Sequence, residues 1–289
     1  MSQGEVFDEA DLDKTVAAKK AAESLISVLS GVAGETVSEF LATNPDKLIN
    51  IAQEISISAP VEYMRKLQKT SGLSESGRVE ADYAYVGLPP EAVQCNFRTG
   101  FASFIYPRLQ HRADSFKLIF EELDRHTNPF ILETGCLRVP NNWAGDGQST
   151  FVFDWYARER HGHVVTIDIN PESIESARRA CSGVTSTILN DSVAALRMLD
   201  VVVSKPVSFL YLDSFDLDQN NPMPSAIHHA MELMAARSLI GPGTIICVDD
   251  YNVGALGEGG KGMIVNQFMD AIRAEVLYSG YQKIWKIPG

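Results

Sequence analysis

From about Leu12 to Gln68 the apolar residues fall at helical spacing, most clearly at Ala17, Ala18, Ala21, Ala22, Leu25, Ile26 and Leu29. Gly31 and Gly34 break this run. A second helical stretch covers roughly Val37 to Ala42, and Asn44-Pro45-Asp46 reads as a loop and cap before a third. Residues 70–100 are richer in Gly, Ser and Pro and read as loop with short helix. A further helix fits from Asp114 to Arg125.

After Pro129 the pattern changes to short apolar strands alternating with helices. Strands are predicted at Phe130–Glu133, Val164–Asp168, Thr185–Leu189, Val207–Asp213 and Thr244–Asp249. Helices are predicted at Ser149–Arg160, Pro171–Ala180, up to about Leu199, Ser225–Ala236 and Gly262–Ala274. Glu275–Tyr278 and Tyr281–Ile287 read as a closing hairpin turning at Ser279-Gly280. The expected fold is α/β: a Rossmann-like, doubly wound, mostly parallel sheet with a terminal antiparallel hairpin. Residues 128–289 form that domain, and residues 1–127 form a helical N-terminal extension that caps the site or builds a dimer.

Charge narrows the function. A formal net charge of -12 and a pI near 5.0 argue against phosphate-backbone binding, which rests on Lys and Arg. Neither a basic-then-apolar leader nor a bilayer-length apolar run is present in the sequence. Cys95, Cys136, Cys181 and Cys247 are far apart and form no C-x-x-C pair, so they read as reduced, packing thiols of a cytosolic protein.

Ligands of open parallel sheets bind beyond the carboxyl ends of the strands. Each of the five predicted strands here carries an acidic residue at or just past that end: Glu133, Asp168, Asp191, Asp213, and the pair Asp249-Asp250. Asp also caps helices well, and Asp168 ahead of Pro171 fits that alternative. The first loop, with Gly135, Gly145 and Gly147, does not match G-x-G-x-x-G. It is also long, whereas a pyrophosphate cradle needs a tight turn onto a helix start. A nicotinamide dinucleotide is therefore disfavoured, and a nucleoside ligand without phosphates is compatible.

The run Glu133-Thr134-Gly135-Cys136, the later Asp146-Gly147-Gln148-Ser149-Thr150, and Val165-Thr166-Ile167-Asp168 resemble the class I S-adenosylmethionine-dependent methyltransferases over residues 128–289. The resemblance implies that Glu133 and Gly135 lie near the methionine part of S-adenosylmethionine, with Ser149 also on the cofactor. It implies that Asp168 binds the ribose hydroxyls and that Asp191 and Ser192 lie near the adenine. The stretched first loop departs from the family pattern.

Leu210 to Asp216, His228-His229, and Val248 to Asn252 resemble the branch of metal-dependent small-molecule O-methyltransferases, which includes the macrocin-type and cephalosporin-pathway enzymes. In that branch the matching acidic residues hold Mg²⁺, which implies Asp213, Asp249 and Asp250 as ligands; three carboxylates plus waters suit a hard six-coordinate ion. Such a metal would bind a substrate hydroxyl and lower its pKa. Asp249 and Asp250 capping a turn is the alternative.

Adjacent helix positions point about 100° apart, so at most one of His228 and His229 faces the site, where it would serve as general base, and a core or surface histidine is the equal alternative. Gly259-Gly260-Lys261-Gly262 opens the next helix as a candidate lid. There Lys261 reads more simply as a solvated loop lysine than as a contact to an anionic substrate.

The expected activity is methyl transfer from S-adenosylmethionine to a hydroxyl of a small molecule: a sugar, polyketide or phenolic compound, rather than protein or nucleic acid. A nicotinamide-dependent oxidoreductase and a non-catalytic binding protein on the same domain are the rivals.

Overall fold

The computed structural model describes residues 80–146, 148–202 and 206–289. Two compact units divide the chain, Met1–Thr70 and Ser71–Gly289, and every described residue belongs to the second. The helices expected before Gln68 lie outside the described residues.

Strands β1 (Phe130–Thr134), β2 (His163–Asp168), β3 (Thr185–Leu189), β4 (Phe209–Leu212) and β5 (Ile245–Val248) are parallel. A two-residue ladder, β6 (Asn252–Val253) with β7 (Gly257–Glu258), follows β5. The hairpin β8 (Glu275–Ser279) and β9 (Lys283–Lys286) closes the main sheet, with β9 antiparallel to β5. The order across the sheet is β3-β2-β1-β4-β5-β9-β8. This is the expected Rossmann-like doubly wound arrangement with a terminal antiparallel hairpin. Every residue of β4 and β5 is buried, as central strands covered on both faces require.

Helices α1 (Ala113–Leu123), α2 (Ser149–Glu159), α3 (Pro171–Ala180), α4 (Ser192–Val202), α5 (Met223–Ala235) and α6 (Met263–Ala271) accompany the sheet. The Asn170 side chain accepts from the Glu172 amide and Pro171 occupies the first turn of α3, a start the sequence signals directly.

The described end of the expected extension, from Glu80 to Thr127, is not a separate layer. Tyr83, Phe97, Phe101, Phe116 and Phe120 share one core with Phe151, Phe153, Trp155 and Tyr156 of α2. Tyr83 stands edge-on to Phe151 and Trp155 at 5.2 and 4.9 Å, and Phe116 stacks on Phe153 at 5.6 Å. Each such ring, fully buried, contributes roughly 1.5–3 kcal/mol. No helix among the described residues is long and apolar enough to cross a membrane.

The hairpin turn falls later than the sequence suggests. Ser279 still pairs with Lys283, and Gly280, Tyr281 and Gln282 make the turn. Because β9 runs antiparallel and Val248 pairs with Lys283, this turn stands at the carboxyl edge of the parallel strands. Tyr281 and Gln282 are thereby delivered to the place where the strand ends meet.

Candidate active site

A polar cleft of about 160 Å³ opens at the carboxyl edge of the sheet. Gly135, Ser149, Asp168, Asp213, Asp249 and Asp250 all line it, together with Arg112, Arg138, Lys261 and Tyr281. A larger cavity of about 580 Å³ lies elsewhere, over Phe97, Phe101, Phe120 and Tyr156. None of the acidic strand ends borders that cavity, so the smaller cleft is where chemistry concentrates.

Gly135 ends β1 in the left-handed region with φ 77°, and a Cβ there would lie 2.5 Å from the Asp213 carbonyl oxygen. Only glycine lets β1 and β4 part so closely beneath the cleft. Beyond it the long first loop is tied to itself: Gln148 accepts from the Asn141 amide and donates to the Val139 carbonyl. Arg138 bridges Asp146 and Asp216 across the mouth.

Asp168 stands in the cleft as expected. Its carboxylate accepts from the Cys136 amide at 3.1 Å and the Asn170 amide at 2.7 Å. A carboxylate has about four lone-pair sites, so acceptor capacity remains for a hydroxyl donor beyond these amides and the adjacent Cys136 thiol. Ser149, the first residue of α2, lines the cleft, and its Oγ donates to Glu133 at 2.6 Å. Glu133 itself does not line the cleft. It is fully buried and accepts from Ser149, Thr150 and Thr166, and burial pushes its carboxyl up to about 7 against those three bonds. These bonds join the start of α2 to β2. Asp191 accepts from the Ala194 amide as a cap of α4, and Ser192 is hydrogen-bonded to His228 at 3.0 Å. Neither borders the cleft.

Asp213, Asp249 and Asp250 converge, with one ligand oxygen from each within 4.8 Å of the others. Two cations that the sequence reading did not assign to the site meet them there. Arg112, buried at 4% exposure, donates Nε at 3.1 Å and Nη2 at 2.8 Å to Asp249 and lies 3.8 Å from Asp250. Lys261 is 1% exposed, not a solvated loop lysine, and its ammonium lies 2.5 Å from Asp213 and 3.0 Å from Asp250. Gln282 donates to Asp249 at 2.8 Å, and the Tyr281 hydroxyl bonds Asp250. Burial would raise the Asp249 carboxyl, but the Arg112 guanidinium outweighs it and holds Asp249 below the usual range. Burial would likewise strip the Lys261 proton, and Asp213 and Asp250 reverse that, keeping the ammonium charged.

This donor set does not fit an added Mg²⁺. The ion needs oxygens free to close on it in octahedral geometry. Here Asp249 is engaged by Arg112 and Gln282, and an ammonium already bridges Asp213 and Asp250.

The histidines are not in the cleft either. His229 is fully buried, its Nδ1 lies 2.7 Å from the Ser225 carbonyl, and burial lowers it to about 4. His228 loses to burial as well, but its contact with Glu232 raises it overall. Glu232, also buried, accepts from Thr134 at 3.1 Å and Ser214 at 2.6 Å. Burial acts to raise it, yet the histidines and hydroxyls bring it down to about 2. Both histidines thus belong to a buried brace behind β1 and β4, and neither is placed to take a proton from a ligand in the cleft. The spacing of Glu232, four residues after His228 on one helix, was the signal for it.

No family model matches the chain, and no curated protein does. Among solved structures, similarity extends to the methyltransferase MycE of the mycinamycin biosynthetic pathway with Mg and SAH, at 14% identity and a TM-score of 0.44. That match covers 61% of this chain and 49% of MycE, so the chain spans about half the length of that enzyme. The SAH-bound Podospora anserina methyltransferase PaMTH1 is similar at 15% identity and a TM-score of 0.43, over 79% of this chain and 96% of that one. Aeropyrum pernix fibrillarin with bound S-adenosyl-L-methionine is similar at 13% identity and a TM-score of 0.40, over 59% and 74%.

Proposed function

We propose that this chain is an S-adenosylmethionine-dependent methyltransferase acting on a hydroxyl of a small molecule. One observation carries the reading. Asp168, whose carboxylate accepts two backbone amides, lines a cleft together with Gly135, and the sequence between β1 and α2 carries no G-x-G-x-x-G motif. That combination suits two ribose hydroxyls and a nucleoside without a pyrophosphate. The enclosed volume of about 160 Å³ is below the roughly 300–1,000 Å³ of most ligand sites, so a nucleoside would extend over the open sheet edge toward Asp191.

Bound S-adenosylmethionine supplies an electrophilic methyl group on a sulfonium. The chain's own residues supply the rest. Asp168 orients the ribose. Ser149, held by Glu133, fixes the first turn of α2 at the cleft wall. Asp213, the acidic residue after β4, is the candidate to accept the proton of the acceptor hydroxyl. Arg138, bridging Asp146 and Asp216, ties the first loop to the segment after β4 at the mouth. Most of the acceleration then comes from holding acceptor and methyl donor in line. The acidic balance of the chain favours a neutral or cationic acceptor over nucleic acid.

Calorimetric titration tests this. S-adenosylmethionine and S-adenosylhomocysteine should bind saturably. Asp168→Ala should weaken both by roughly 10- to 150-fold, the loss of about 1.5–3 kcal/mol of charge-assisted bonding. Unchanged affinity in the variant, or saturable binding of NADH instead, overturns the reading.

A further inference from the structure

The position between the three carboxylates of the cleft is filled by the chain itself. Lys261 reaches it by a path that admits little variation. Gly260 has φ 41°, and a Cβ on it would stand 1.9 Å from the Asp250 carbonyl oxygen. A Cβ on Gly262 would stand 2.7 Å from the Tyr251 ring. The Lys261 amide donates to that same Asp250 carbonyl at 3.2 Å. The glycines on either side therefore press the backbone against Asp250 and Tyr251 just past β5, and the lysine side chain is turned to the interior. Its ammonium ends within hydrogen-bond distance of Asp213 and Asp250, while Arg112 closes on Asp249 from the opposite side.

We propose that Lys261 occupies the place of a divalent cation, so that this cleft carries its positive charge as a built-in ammonium and operates without a metal. An ion bonded to Asp213 and Asp250 would stand against an ammonium that already bridges both, and like charges in a buried setting exclude each other. The substitution is chemically coherent. An ammonium has three donors, and Asp213 and Asp250 engage two. The third is left for an acceptor oxygen in the cleft, where a fixed positive charge stabilises developing negative charge much as a metal would. Arg112 cannot serve in this way, because its guanidinium is spent on Asp249, the Ala144 carbonyl and the Tyr281 hydroxyl.

The catalytic side of this inference rests on the methyl-transfer reading, but the occupancy of the position does not, and its test needs no turnover. Mn²⁺ is titrated into the full chain and followed by electron paramagnetic resonance. The wild type should show no site filled at about 1 mM Mn²⁺. Lys261→Ala, which leaves Asp213 and Asp250 without their bridging cation while Arg112 still holds Asp249, should gain one bound Mn²⁺ per chain on those two carboxylates. That site should weaken about tenfold or more when Asp213→Asn is added. Should Lys261→Ala melt too low for titration, Mn²⁺ should raise its melting temperature while K⁺ does not. Lys261→Arg, which keeps a cation in place, should stay metal-free. A wild-type site that binds Mn²⁺ well below 1 mM and disappears in Asp213→Asn overturns the proposal. So does a folded Lys261→Ala that gains no Mn²⁺. Failure of S-adenosylmethionine binding, by contrast, would remove the methyl-transfer reading and leave these outcomes untouched.

Discussion

Arg112→Met removes the guanidinium from a buried ion pair while keeping most of the side-chain volume. Arg112 is 4% exposed and Asp249 1% exposed, and the pair is joined by contacts of 3.1 and 2.8 Å. The guanidinium also lies 4.6 Å from the centre of the Tyr281 ring. Without it Asp249 keeps, among the described residues, Gln282 as its one direct side-chain hydrogen-bond donor. Breaking a buried pair by removing one partner costs about 3–5 kcal/mol, because the other charge stays buried. In a unit of this size each kcal/mol lowers Tm by about 2–4 °C, so the variant should melt roughly 6–20 °C below wild type. Arg112→Lys should recover only part of this, since one ammonium cannot reproduce the two-pronged geometry. The double variant Arg112→Met with Asp249→Asn should be more stable than Arg112→Met alone, because no charge is then stranded. Calorimetric melting at pH 7 measures all of these. A drop of less than about 2 °C in Arg112→Met would show that the pair is solvated and refute the reasoning.

Two buried groups should give opposed pH dependence. His229, lowered to about 4, contributes stability that is complete above its unfolded value near 6.5 and is lost as pH falls toward 4. Glu133, raised to about 7, contributes stability that is complete below its unfolded value near 4.5 and is lost as pH rises toward 7. Between pH 4.5 and 6.5 the two slopes oppose each other, so urea unfolding of His229→Gln should show stability falling with pH, and Glu133→Gln should show it rising; identical profiles would contradict the assignments. Gly135→Ala forces φ 77° and a Cβ 2.5 Å from the Asp213 carbonyl, so it should cost about 1–3 kcal/mol and lower Tm by roughly 2–12 °C. A melting temperature equal to wild type would mean that β1 and β4 are not held this close.

The sheet was legible because buried parallel strands write themselves as short apolar runs such as Phe209–Leu212 and Ile245–Val248. The strand-end carboxylates followed from that register. The pairing of those carboxylates was less legible. Arg112 precedes its partner Asp249 by 137 residues, in a segment read as a helical cap or dimer element rather than as part of the cleft. Lys261 sits among glycines, a composition typical of solvated loops, and only the close approach of Gly260 to Asp250 turns it inward. Three converging carboxylates do demand a counter-charge. The sequence reading expected a metal to supply it, and did not foresee that Arg112 and Lys261 reach the same carboxylates. The boundary near residue 128 marked a change of pattern rather than of core, since Phe116 and Phe120 pack on α2 from the N-terminal side. A chain beginning near Thr127 would lose both that packing and Arg112.

A crystal structure of the full chain grown with S-adenosylhomocysteine tests the central claim most directly. The account predicts ligand density at the carboxyl edge of β1 and β2, with both ribose hydroxyls within hydrogen-bond distance of Asp168 and the Lys261 ammonium still between Asp213 and Asp250. Ligand density in the cavity over Phe97 and Phe101, or a cleft left empty at saturating ligand, would contradict it.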